Sequence, residues 1–222
     1  MASLLVSSSV ALAQQQTPQE RVLALKASLA ASQAILKQYE WIETTVVSLK
    51  DEEKSRKQER CYYGADGGLQ KVLLNQTAPA PKKRGLRGKI AASKQEELTD
   101  YMKEAIALVK MYIPPDQGRI QAAKDAGKLS VTPLGGQRAK LTFSDYIKPG
   151  DSLALEVNLA SNRPVQAKVT TYVDSQKEPV ILDASFGQLD NSATYASKIV
   201  LEAKAKKLKI NVQNSGYRRT GG

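Results

Sequence analysis

The chain has 222 residues, 41% of them hydrophobic, with 33 lysines and arginines against 22 aspartates and glutamates and a formal charge of +11. That is enough length and apolar content for one large domain or two small ones, and it excludes global disorder. The basic balance suits an acidic partner (nucleic acid, anionic lipid or acidic protein), or it is simply a solvated basic surface. There is no histidine and one cysteine. The usual general base, the commonest metal ligand and every histidine-dependent triad are therefore missing. Cys61 alone makes neither an internal disulfide nor a thiolate metal cluster, and no imidazole is present to activate it as a nucleophile. It reads as a strand residue, and neither a cofactor nor catalysis is expected.

Residues 4–13 are apolar or small, and Ala11-Leu12-Ala13 fits the small-x-small rule before Gln14, so residues 1–13 read as a cleavable export signal. The stretch is too short to span a bilayer. Thr17-Pro18-Gln19-Glu20 is a capping box with proline in the first turn. It starts a helix to about Lys37, with Val22, Leu25, Leu29 and Leu36 on one stripe. From Tyr39 the period changes to two. A strand rich in aromatic and β-branched residues runs to Lys50, an acidic turn at Asp51-Glu52-Glu53 leads to a polar partner strand from Lys54 to Tyr63, and Leu69 to Leu74 returns after a glycine-rich turn.

Ala78 to Gly88 is rich in proline, glycine and lysine and is expected to be a loop. Its cluster Lys82, Lys83, Arg84 and Arg87 either touches anionic headgroups or phosphates or is a charged linker. Ser93-Lys94-Gln95-Glu96 reads as a second capping box. The helix it opens carries Leu98, Met102, Ile106, Val109 and Ile113 and stops at Pro114-Pro115. A short helix from Asp116 to Ala126 closes at Gly127. The helical insert is thus placed at about 93–126.

The remaining chain alternates. Leu141 and Phe143, then Leu153, Leu155, Val157 and Leu159, then Val165, Ala167 and Val169, then Val180, Leu182, Ala184 and Phe186 are separated by polar residues and turn signals. Residues 195–206 favour helix by propensity, yet Ile199, Leu201, Ala203 and Ala205 alternate with Lys198, Glu202, Lys204 and Lys206. The parity then switches before Leu208, Ile210 and Val212, which predicts two strands joined by a turn or bulge. Tyr217 to Gly222 reads as a basic frayed tail. The fold class is therefore α+β, mainly antiparallel, with about nine or ten strands. Strands apolar on one face only must bury that face, and the helices are the available cover, so a curved sheet with helices on its concave side satisfies the pattern.

A capped N-terminal helix, a long strand from Tyr39 to Lys50, a hairpin, a helical insert and consecutive antiparallel strands follow one another. Near the end come Tyr195-x-x-x-Ile199 and a last strand from Lys207 to Val212. This order resembles the outer-membrane lipoprotein carrier family, the LolA/LolB-like half-barrels, over roughly Thr17 to Arg218. The resemblance implies one domain over 14–222, an unclosed half-barrel with a helical lid, and an apolar cavity for acyl chains in the periplasm. Arg56 and Arg60 lie on an early strand suited to the lid-holding arginine of such carriers; that role is carried over to neither, and the chain is poor in Trp and Phe.

The expected function is that of an exported periplasmic carrier or binder of lipid or lipoprotein acyl chains. The candidate cavity wall is Trp41, Val47, Leu49, Leu155, Val157, Val169, Leu182 and Phe186. Alternation alone does not separate a cavity wall from a filled core. The alternative is a non-catalytic envelope interaction module docking an acidic protein, polymer or anionic membrane surface through its basic face. Glu40, Glu43 and Asp183 are present, with no reason to pair them across a substrate. Nucleic acid is not an expected partner, because the usual helical and zinc modules are missing and export argues against it.

Overall fold

The computed structural model describes residues 17–77, 86–190 and 193–220. The expected export signal and Lys82, Lys83 and Arg84 lie outside the described residues.

Helix α1 (Pro18–Leu36) starts as the sequence dictates. The Thr17 hydroxyl accepts from the Glu20 amide (3.3 Å), and the Glu20 carboxylate accepts from the Thr17 amide (2.6 Å). Ten strands follow: β1 (Tyr39–Leu49), β2 (Glu52–Tyr63), β3 (Leu69–Gln76), β4 (Leu129–Gly135), β5 (Arg138–Ser144), β6 (Ser152–Asn158), β7 (Arg163–Tyr172), β8 (Pro179–Leu189), β9 (Ala193–Ala203) and β10 (Leu208–Arg219). They form one antiparallel sheet in the order β3-β2-β1-β10-β9-β8-β7-β6-β5-β4, so the first and last strands in sequence lie side by side and β3 and β4 are the two open edges.

Helices α2 (Leu86–Lys110) and α3 (Gln117–Asp125) connect those two edges. A chain leaving one edge and entering at the other must cross the sheet. The 25 residues of α2 reach about 37 Å at the helical rise. Nine gaps between strands amount to about 43 Å. The insert therefore lies across one face because the topology requires it, and α2 meets β7, α3 meets β5, and α1 meets β9, β7 and β1. The result is an unclosed half-barrel with helices over one side.

Several expectations need correction. Ser93 is not an N-cap, because α2 already starts at Leu86. Lys89 to Ala92 contains nothing that stops a helix, and two alanines favour one. Gly85-Leu86-Arg87-Gly88 is accordingly not all loop, and Arg87 stands in the first turn of α2. The first hairpin turns at Lys50-Asp51, both at positive φ (55° and 63°), with Leu49 opposite Glu52. That is the two-residue turn whose twist matches paired strands, so Glu52 and Glu53 belong to β2. Strand β4 escaped the sequence reading because Pro133 and Gly135 interrupt it. As an edge strand it tolerates proline, which gives no ladder donor. Finally, Tyr217 to Arg219 is not frayed: β10 runs to Arg219, paired with Tyr39. The strand expected to run on through Lys206 ends at Ala203: Lys204 to Lys207 form a four-residue turn between Ala203 and its partner Leu208, with Lys207 at φ 51°.

The core lies between the helices and the sheet. Val22 and Leu25 of α1, Tyr101, Ala105 and Val109 of α2 and Ile120 of α3 pack on Leu141, Phe143, Leu153, Leu155, Val169, Val180, Leu201 and Ile210. Ser32 fixes α1 to the sheet: its hydroxyl donates to the Ser28 carbonyl (2.8 Å) and accepts from the Thr194 amide (3.0 Å).

Candidate functional site

The residues expected to line a cavity separate into two groups. Leu155, Val157, Val169 and Leu182 are buried on the helix-covered face, and Val47 and Phe186 are half-buried and packed against the same cluster. Leu49 is half-buried opposite Leu208, at the end of β1. Trp41 lies apart from this core. Its ring stacks on Tyr217 (5.4 Å, 15° between planes), its indole N–H donates to Asn214 Oδ1 (3.1 Å), and Tyr63 tilts against it (5.9 Å). Tyr195 joins Tyr217 at 4.4 Å. This aromatic cluster ties β1 to the end of β10, which is why the supposed tail is a strand. The sequence placed Trp41 correctly on β1 but had no means of finding its partner, which lies 176 positions away.

A polar site that sequence reasoning missed holds the C-terminal end of α2 to the sheet. Tyr112, fully buried, donates its phenolic hydrogen to Asp151 Oδ2 (2.5 Å). Its oxygen is 2.8 Å from Thr171 Oγ1. A hydroxyl has one hydrogen, so Thr171 is the donor to Tyr112. Asp151, itself buried, also accepts from the amides of Tyr146 (2.5 Å), Ile147 (3.1 Å) and Lys148 (2.8 Å). Burial, with the Asp151 carboxylate next to it, pushes the Tyr112 phenol well above the usual tyrosine range. The only sequence signal was the turn Lys148-Pro149-Gly150-Asp151. Nothing linked it to Tyr112, two residues beyond the end of α2.

The carboxylates noted in the sequence each have a local partner. Glu43 accepts from Lys71 (2.6 Å), Asp183 from Gln166 (2.7 Å), and Glu40 from Arg218. Cys61 has no exposed surface, and burial, reinforced by Glu43, pushes its thiol up to about 11, so it stays protonated at neutral pH. On the face away from the helices, a depression of about 380 Å³ is lined by Lys168, Lys198 and Lys204, with Asp183, Glu202, Ser185, Ile181 and Val200. These residues alternate with the core residues Val169, Leu182 and Leu201, as a one-sided sheet requires.

No family model matches the chain, and no curated protein matches it. Among solved structures it is similar to a LolA superfamily protein from Nitrosomonas europaea (10% identity, 89% of this chain and 94% of that one, TM-score 0.35). It is also similar to a domain named for outer membrane lipoprotein sorting from Vibrio parahaemolyticus (11%, 92% and 92%, TM-score 0.41). A third is a DUF1329 family protein from Desulfovibrio piger (8%, 90% and 94%, TM-score 0.35). Likenesses this distant say nothing of what the chain binds.

Proposed function

We propose that the protein is an exported periplasmic carrier or binder of lipid or lipoprotein acyl chains, taken up between the helices and the sheet, and that it acts by binding rather than catalysis. One observation carries this reading: a continuous apolar face on a sheet that does not close is covered by helices strung between its two open edges. Such a cover is held by side-chain packing and a few side-chain hydrogen bonds and can part from the sheet without breaking a strand pairing. Leu155, Val157, Val169 and Leu182 would then meet the ligand, with Val47 and Phe186 at the margin. An acyl chain needs no finely placed polar group. At about 0.8 kcal/mol per buried methylene, a ~16-carbon chain offers roughly 12 kcal/mol before ordering costs. The export signal at residues 1–13 belongs to the same reading.

Native mass spectrometry of the protein purified from a periplasmic extract, with solvent extraction of bound material, tests it. A co-purifying acyl lipid or acylated peptide is expected. A mass equal to the bare chain, unchanged after incubation with detergent-solubilised lipids, overturns it. The second reading is an envelope module that docks an acidic partner. It is favoured by the outer depression, where Lys168, Lys198 and Lys204 outnumber Asp183 and Glu202. In that case the bare mass persists and the partner is retained at low salt only.

A further inference from the structure

Where β10 leaves regular pairing with β1, a second depression of about 250 Å³ is lined by Glu40, Trp41, Ile42, Arg60, Gly216 and Arg218. Its origin is a bulge: Ile42 pairs with Ser215 and Glu40 with Arg218, so β10 carries one residue more than β1 across the interval. Gly216 occupies the bulge at φ 64°, and the nearest atom to a Cβ built there is Ile42 Cγ1 at 3.8 Å. The bulge opens the strand and the glycine leaves the opening unfilled.

We propose that Arg60 and Arg218 make this depression a binding site for a phosphate group. Arg218 spends its Nε on the Glu40 carboxylate. Arg60 Nη1 stands 4.0 Å from the other Glu40 oxygen, too far for a hydrogen bond, and Arg60 Nε is buried with no partner. Neither arginine has a further acceptor among the described residues, so the remaining Nη donors of both forks are unspent. Two guanidiniums against one carboxylate leave a charge of +1 in the depression. The Tyr62 ring, 5.5 Å from the Arg60 guanidinium carbon, limits where that fork can point.

Planar forks of this kind match oxyanions in paired hydrogen bonds, which a lysine does not. A phosphate group presents oxygens in several directions and can meet both forks while Glu40 keeps Arg218 Nε. A carboxylate offers two oxygens in one plane. The site does not depend on acyl binding, because Glu40 and Ile42 alternate with Val47 and Leu49 on β1 and no residue of the helix-covered core cluster lines the depression. The same chemistry is found in a free phosphate ion and in a phospholipid headgroup, and the experiment separates them.

Protein labelled with ¹⁵N-arginine is titrated with inorganic phosphate and, separately, with dihexanoyl phosphatidylglycerol below its micelle concentration, while the arginine Nε–Hε signals are followed. A saturable shift of the Arg60 and Arg218 signals is expected. Arg60→Gln and Arg218→Gln should each weaken binding roughly ten-fold, as loss of a charge-assisted pair implies. Lys209→Gln, the same change of charge outside the depression, should leave affinity within about two-fold, since long-range effects of one surface charge are screened. Arg218 is 73% exposed, so its variant folds even if that of Arg60 does not. Saturation by phosphate alone assigns a free-ion site, and saturation by the lipid only assigns a headgroup site. No saturable shift with either ligand, or equal weakening by Lys209→Gln, overturns the proposal.

Discussion

Tyr112→Phe removes one oxygen from the centre of the core and is the sharpest test of how α2 is held. The change deletes the hydrogen bond to Asp151 Oδ2 (2.5 Å) and the one received from Thr171 (2.8 Å). A bond to a buried carboxylate contributes about 1.5–3 kcal/mol and a neutral one about 1. Asp151 keeps amide donors from Tyr146, Ile147 and Lys148. It is therefore not left bare, and the larger cost of about 3–5 kcal/mol for an unpaired buried charge does not apply. The expected loss is about 2.5–4 kcal/mol, or roughly 5–16 °C in Tm for a chain of this size. Urea denaturation measures it as a lower midpoint at unchanged slope. Thr171→Val should cost about 1 kcal/mol, and the double variant should fall short of the sum because both changes act on one network. A loss below about 0.5 kcal/mol for Tyr112→Phe, the range of an ordinary surface change, would refute the network as an anchor. If the anchor holds, the proposed parting of the helical cover would start at its other end, since residues 93–97 of α2 are exposed while Tyr101, Ala105 and Val109 are buried.

Two further outcomes follow from burial. Val157→Glu places a carboxylate at a position 3% exposed, between Ala139 and Pro164 on neighbouring strands. It should cost several kcal/mol even if the new group takes up a proton, and an unchanged Tm would mean that this face is wet and open in the resting protein. Cys61, raised from its ordinary value to about 11, binds its proton more tightly folded than unfolded. Its contribution is complete below about pH 9 and is lost as pH rises through about 11. Cys61→Ser should flatten that part of the alkaline stability profile. Native protein at pH 8 should react with a thiol reagent only as fast as it opens, and rapid stoichiometric labelling contradicts the burial.

Local rules read from the sequence settled most elements. The Thr17–Glu20 box, the period-two runs from Arg138 to Leu189 and the change of parity around Lys206 are legible because capping, alternation and turn chemistry act over a few residues. One-sided strands also required a cover, and the helices were the only candidates. What failed locally failed because a distant partner decided it. Ser93 looks like a cap until the helix continuing upstream makes it interior. Residues 217–219 look frayed until Tyr217 meets Trp41 across the sheet. The tertiary structure alone brought Tyr112 to Asp151 and Thr171, and Arg60 beside Glu40 and Arg218. Those groups lie tens to well over a hundred residues apart in sequence. Pairing across such a distance is set by strand order and by the bulge in β10. Hydrophobic periodicity carries no record of either, because it fixes which face a residue shares and not which residue stands opposite.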